Sequence, residues 1–272
     1  MNKESRIKSQ DVEKSEEEIF EVAQEAARKA GEVLLPYFQA TGLEREIKDD
    51  KSFVTKADLE SEAIIIKTIK SKFPDHAILA EESGEVKTAS PYQWIIDPLD
   101  GTANFLNGIP IFGVSIGVYK NGEPFAAAVC NPVTRELFSV ARGRGAFFNG
   151  KTVTVSNQEA AKGLVTFGLS KDVADREHFT RVFVGLEKVF NKRRHLGATA
   201  LEMAYIARGG IEATVSFGSK RWDHAAGAVL ILEAGGKITD FSGKPWKLGE
   251  THFIASNGVS HAALLKVVSS AK

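Results

Sequence analysis

The 272-residue chain is short of cysteine, methionine and any surplus of one charge, with one Cys, two Met and 35 basic against 35 acidic residues. Cys130 has no intramolecular partner for a disulfide, so the core must hold the fold, and a reducing compartment fits. It lies in an apolar stretch before Asn131-Pro132 with no base-like neighbour, which reads as a buried structural thiol rather than a nucleophile. Zero formal net charge argues against broad nucleic-acid binding, which shows as a basic excess or stripe. No apolar run approaches the roughly 18 residues of a membrane span, and Met1 to Glu18 has no apolar core of signal-peptide length. A Gly-rich phosphate loop ending in Lys-Ser/Thr is missing, which excludes the common nucleotide hydrolases. Repeats and low-complexity linkers are missing too. What remains is a cytoplasmic globular protein whose 43% apolar content can build a core without staples.

Hydrophobic spacing divides the chain into two kinds of structure. Residues 1–14 are polar and read as frayed. Ser15 followed by Glu18 reads as a capping box, and Ile19, Val22, Ala26, Ala30, Val33 and Leu34 recur at helical spacing. That predicts a first helix ending near Gly42. A second helix is predicted from Ala57 to Phe73, stopped by Pro74. Strand-like runs follow at Ala77–Ala80 and Trp94–Ile96, each delivering acidic residues at its end. From Phe112 to Val155 the alternation is that of antiparallel strands, with Asn121-Gly122 and Asn149-Gly150 as two-residue hairpin turns. Beyond residue 160, helices (175–190, 198–208, 223–234) alternate with strands (164–168, 211–217, 236–240, 252–256). The expectation is an α+β half over residues 1–155 and an α/β half over residues 156–272.

The most informative segment is Trp94-Ile95-Ile96-Asp97-Pro98-Leu99-Asp100-Gly101-Thr102-Ala103-Asn104-Phe105. An apolar strand ends in Asp97, Pro98 fixes a turn, and Asp100 follows three residues after the first Asp. Two carboxylates in one small loop repel unless a cation neutralises them. Hard divalent cations favour such oxygen donors, including a backbone carbonyl like that of Leu99. The amides of Gly101 and Thr102, at a predicted helix start, suit a phosphate. A plain turn capped by its own Asp side chains is the bland alternative. A calcium helix-loop-helix fails on spacing, because counting from Asp97 puts Leu99 and Gly101 where acidic or amide side chains are needed. An aspartyl-nucleophile phosphatase of the haloacid-dehalogenase type places one residue between its two Asp, not two.

Three further segments carry matching parts. Leu79-Ala80-Glu81-Glu82-Ser83-Gly84 ends an apolar strand in two Glu; Val54-Thr55-Lys56-Ala57-Asp58 places an Asp at a helix start. Trp222-Asp223-His224 begins an apolar helix that ends in Glu233-Ala234-Gly235-Gly236. Taken singly, Thr55/Asp58 is a capping box, Asp223 an N-cap and Glu81-Glu82 a solvated edge. Their joint occurrence is much harder to assign to caps and edges.

In this order, the four segments resemble those of the inositol monophosphatase family of metal-dependent, lithium-sensitive phosphatases, from the first helix to the end of the chain. The resemblance implies a layered α-β-α-β-α sandwich of the sugar-phosphatase type, commonly a homodimer, with two or three Mg²⁺ ions, Mn²⁺ being an alternative. Carried over by position, Glu81, Asp97 and the Leu99 carbonyl resemble the ligands of one ion, and Asp97, Asp100 and Asp223 those of a second. Glu81, Asp58 and Thr102 match residues that activate the attacking water, and Gly101 and Thr102 match the phosphate-binding amides. Lys48 lies near a position that often carries a basic residue. Such chemistry needs charge neutralisation and positioning more than covalent help from the protein. The six histidines form no triad, and His224 reads as structural.

Departures from the family pattern bear on substrate. Inositol-selective members carry Glu in the strand before Trp-Asp, where this chain has Ser216. Ala198 and Thr199 match a segment that lines the substrate pocket, with Asp223 also facing substrate, and Arg193, Arg194 and His195 precede it. The expected substrate is a small phosphorylated polyol or sugar. Fructose-1,6-bisphosphatase, histidinol-phosphatase and 3′-phosphonucleotide phosphatase activities are the alternatives. A catalytically inactive interaction protein of the same fold is the reading from another class; keeping mutually repelling acids together argues against it.

Overall fold

The computed structural model describes residues 3–38, 45–47, 53–170 and 172–271, with backbone only for residues 3–15 and 45. Lys48 lies outside the described residues, and the first helix, expected to end near Gly42, ends at Leu34 because Pro36 disfavours a helical Leu35. The elements in chain order are α1 (Lys3–Leu34), β1 (Arg45–Ile47), β2 (Phe53–Thr55), α2 (Lys56–Lys72), β3 (Ala77–Ala80), β4 (Gly84–Val86), β5 (Tyr92–Asp100), α3 (Thr102–Leu106), β6 (Gly113–Lys120), β7 (Glu123–Asn131), β8 (Glu136–Ala141), β9 (Gly145–Phe148) and β10 (Lys151–Val153). They continue with β11 (Leu164–Gly168), α4 (Val173–Val189), β12 (Lys192–Arg194), α5 (Thr199–Ala207), β13 (Ala213–Ser216), α6 (Arg221–Glu233), β14 (Lys237–Thr239), β15 (Phe253–Ser256) and α7 (His261–Ser270).

β3–β10 form an eight-stranded sheet in the order β10-β9-β8-β7-β6-β5-β3-β4, and the last five strands a sheet in the order β12-β11-β13-β15-β14. Period-two alternation sorts β5 between two cores. Trp94 and Ile96 pack with Ile19, Ala23 and Ile65 of α1 and α2, whereas Ile95 packs with Ala225 and Val229 of α6 and Leu201 of α5. A third core holds Val182 and Leu186 of α4 and Leu264 and Val268 of α7 against Val215 and Ile254 of the smaller sheet. The layers therefore run helices, large sheet, helices, small sheet, helices, as the family resemblance implies.

Both Asn-Gly hairpins form: Asn121 and Gly122, and Asn149 and Gly150, all have positive φ, as a type I′ turn requires. Two expectations are corrected. The first helix runs from Lys3 to Leu34, so residues 3–14 are helical rather than frayed, and Ser15 lies inside the helix instead of capping it. The second half alternates helices and strands as expected. β11 is parallel to β12 and β13, but β15 is antiparallel to both β13 and β14. Gly117 marks a close approach of the layers, since a Cβ there would lie 3.0 Å from the Ala225 carbonyl carbon and the Ala226 nitrogen. α6, which carries Asp223, is seated on the sheet by that absence.

Candidate active site

β5 carries Asp97 and Asp100 at its C-terminal end, both buried, at 3% and 7% exposure. β3 runs parallel beside it, so the turn after β3 presents Glu81 at the same edge, where the Glu81 amide donates to the Ile96 carbonyl at 3.2 Å. Asp97 pairs with Ser115 and Asp100 with Gly113 on β6, so one extra residue of β5 is accommodated between the two acids as a bulge. Gly101 then adopts φ +87° and starts α3. Glycine is required there twice over. A Cβ would sit in a left-handed conformation and lie 3.0 Å from the Ile111 carbonyl and 3.1 Å from the Ala198 Cβ.

Hydrogen bonds define how each acid rests. Asp97 Oδ1 accepts the Leu99 amide at 3.0 Å. Asp100 accepts the Thr199 amide at 3.0 Å and the Ala200 amide at 2.8 Å, tying β5 to the start of α5. Asp223 Oδ2 accepts the Lys220 amide at 2.7 Å and the Ser219 hydroxyl at 3.2 Å. It is therefore the third residue of α6's first turn rather than the N-cap expected from its position. Asp58 Oδ2 accepts both the amide and the hydroxyl of Thr55, at 2.8 and 2.6 Å, completing the capping box of α2. The Thr102 hydroxyl donates to the Leu99 carbonyl at 3.1 Å, and no Thr102–Asp58 hydrogen bond forms.

Electrostatics bind these acids into one set. Burial pushes the Asp97 carboxyl up, and the charges of Glu81, Asp100 and Asp223 push it further. Burial and then Asp223 raise Asp100. Burial raises Asp58 and Asp223 to about 6 each, with Glu81 adding to both. Lys220 offsets part of this at Asp223. Among the described residues no Lys or Arg lies within ion-pair distance of Asp58, Asp97, Asp100 or Asp223. An all-oxygen donor set under mutual repulsion suits a hard dication. The side chains nevertheless rest on backbone donors. Among the described residues, no three His, Cys, Asp or Glu groups converge closely enough to hold an ion. The donor chemistry fits a hard dication such as Mg²⁺, and each carboxylate keeps acceptor sites beyond the amides it already meets.

Of the other residues singled out from sequence, Ala198 is buried and Thr199 begins α5 beside Asp100. Ser216 is buried at 2% exposure. A Cβ at Gly168 would come within 3.3 Å of the Ser216 hydroxyl and 3.8 Å of the Thr199 hydroxyl, so the two oxygens gather over Gly168. Arg193 and Arg194 lie on β12 rather than at a helix end. Arg193 pairs with Glu187 at 2.6 Å and Arg194 donates to the Arg193 carbonyl. Cys130 is buried with its thiol raised to about 11, the inert structural thiol expected.

Sequence reasoning passed over four supporting residues. The Ser61 hydroxyl donates to the Pro98 carbonyl at 2.8 Å, and Glu62 accepts the Glu82 and Ser83 amides, both at 2.8 Å. Asp58, Ser61 and Glu62 fall at i, i+3 and i+4, a polar stripe on a helix face whose other members are buried, and that was the available signal. Glu202 accepts the Leu196 and Gly197 amides below the start of α5, and burial raises it to about 7. Ser219 bridges Asp223 and His224, its oxygen 3.0 Å from His224 Nδ1. Nothing in the local pattern marked Ser219 or Glu202.

The fold and this acid-lined end of β5 define a phosphatase-type sandwich, and comparison with known proteins names the family. Residues 15–272 match the inositol monophosphatase family model, and the chain belongs to that family. It is 36% identical to Nus factor SuhB of Pseudomonas aeruginosa over 92% of this chain and 95% of that protein. It is 38% identical to a fructose-1,6-bisphosphatase/inositol-1-monophosphatase of Aquifex aeolicus, covering 91% and 94%. The solved inositol monophosphatase of Anabaena superposes with a TM-score of 0.84 at 35% identity, covering 93% and 96%. No helix among the described residues is long and apolar enough to cross a membrane.

Proposed function

We propose that the chain is a Mg²⁺-dependent phosphomonoesterase acting on a small phosphorylated polyol or sugar. The observation that carries this reading is the group of buried, mutually repelling carboxylates at the end of β5, with no basic side chain paired to Asp97 or Asp100 among the described residues. Glu81, Asp97, Asp223, Asp100 and the Leu99 carbonyl would hold two or three ions, Mg²⁺ or Mn²⁺. Bound there, the metal supplies charge neutralisation at the phosphoryl group and acidifies water for attack. The protein's own part is positioning. The amides of Gly101 and Thr102 receive the phosphate, and Thr102, fixed by Leu99, presents its hydroxyl at the same edge. Asp58, raised to about 6, and Glu81 serve as proton acceptors, with Thr55 holding Asp58 in place.

The halves 1–155 and 156–272 meet at this site: the first provides β3, β5 and α3, and the second α5 and α6. A cytoplasmic homodimer is the form in which we expect it to act. In place of the inositol-selecting Glu, the Ser216 hydroxyl and Thr199 line a smaller, uncharged wall. That supports broad specificity or a preference for a sugar bisphosphate over inositol 1-phosphate, with histidinol phosphate and 3′-phosphonucleotides as further candidates. The decisive experiment is a panel of these phosphomonoesters with added Mg²⁺, against the same panel with a chelator. Turnover that survives chelation would overturn the metal assignment.

A second reading has its own observation. Several relatives are named Nus factors, which fits a protein of this fold kept for its surface rather than its chemistry. No phosphate release from any ester at saturating Mg²⁺ would favour that reading.

A further inference from the structure

A cavity of about 550 Å³ runs along the flank of α6, away from the acidic edge of β5. Arg221 stands at one end, the first residue of α6, and Trp246, Tyr119, Ile238 and Leu248 wall it. Arg221 has no acidic partner among the described residues, and its Nε is a buried donor without an acceptor. The Nε1 of Trp246 is a second buried donor without an acceptor. Buried N–H groups are nearly always paired, so two orphans on one cavity are unusual.

The position of Arg221 sharpens this. A cation in the first turn opposes the helix dipole, and the cation that steadies Asp223 is Lys220. The phenol oxygen of Tyr119 is committed to the Ala225 carbonyl at 3.0 Å and the side chain is fully buried, so Tyr119 backs the cavity wall and offers it no free hydroxyl.

We propose that this cavity is a binding site for a flat organic carboxylate. The guanidinium fork matches a carboxylate in a planar, two-bond geometry. The half-buried indole of Trp246, backed by Tyr119, takes a planar apolar body, and Ile238 and Leu248 exclude water around it. Glu123 and Lys247 stand on the same lining with opposite charges, which leaves Arg221 as the unbalanced charge of the cavity. The site is separate from the phosphatase reading and does not depend on it.

The test uses the full-length protein in magnesium-containing buffer, with indole-3-acetate and its neutral isostere indole-3-acetamide as probes in isothermal titration calorimetry. Saturable binding of the acid is expected, with the amide roughly 10–100-fold weaker, the range of a charge-assisted pair. Arg221→Ala should weaken the acid by a similar factor and leave the amide unchanged. Equal binding of acid and amide, acid binding that survives Arg221→Ala, or no binding at millimolar probe would each overturn the proposal. Should Arg221→Ala fail to fold, the acid–amide comparison on the wild type decides alone.

Discussion

The carboxylate of Asp100 is held by the amides of Thr199 and Ala200, at 3.0 and 2.8 Å, across nearly a hundred residues of sequence. This contact joins the end of the large sheet to the first turn of α5. It also places a proposed metal ligand against the first amides of α5, the positive end of that helix.

Asp97→Asn follows directly from that crowding. The substituted side chain would keep an oxygen for the Leu99 amide while removing one of four charges that repel one another. Without metal the variant should melt higher than the wild type, by about 1 kcal/mol or more at the midpoint. It should lose most turnover, together with the rise in melting temperature on adding Mg²⁺ that is expected of the wild type. Melting curves with chelator and with Mg²⁺, alongside phosphate release, check both halves; a variant that melts lower and keeps its Mg²⁺ response would contradict them.

Thr102 tests catalysis against structure. Its hydroxyl meets only the Leu99 carbonyl among the described residues, so Thr102→Ala should cost about 1 kcal/mol of stability but roughly 10²–10⁴-fold in rate. Thr102→Ser restores the hydroxyl and should recover most of the rate. Equal losses for both variants would assign Thr102 to the fold alone.

Ser219 reaches Asp223 and His224 with one oxygen. Groups that orient a ligand in this way typically account for roughly 10–100-fold of metal affinity. Ser219→Ala should raise the Mg²⁺ concentration for half-maximal activity within that range while the maximal rate changes little. An unchanged Mg²⁺ dependence would remove Ser219 from the site.

His261 predicts a pH response of the fold itself. It is buried between the Thr239 and Ser256 hydroxyls, and burial lowers its pKa to about 4. Folding thus holds the ring neutral where the unfolded chain, at about 6.5, takes up a proton. Its contribution is present above about pH 6.5 and is lost as pH falls toward 4, amounting to about 3 kcal/mol in all. His261→Gln should flatten the difference in melting temperature between pH 7 and pH 5, and an unaltered pH slope would show that other groups set it.

Much of this is legible in the chain because it is local. Strand alternation, the two Asn-Gly turns, the capping box of Thr55 and Asp58, and the Asp97–Phe105 segment are short-range patterns, and each forms where its pattern lies. The start of α1 is not legible in the same way, because the Ser15–Glu18 signature also occurs inside a longer helix, where a capping pattern has no end to cap. Which acids meet, and how each one rests, belongs to the tertiary structure. Parallel pairing of β3 with β5 brings Glu81 beside Asp97, and Gly117 lets α6 descend far enough to bring Asp223 in. Asp58 and Thr102, adjacent in role by sequence resemblance, hold different partners because Thr55 and Leu99 are nearer to them in space. Sequence alone determines the donor set, since the residue types fix its chemistry. Only the packing of the layers decides its geometry, since a carboxylate takes whichever hydrogen-bond donor the fold places within reach.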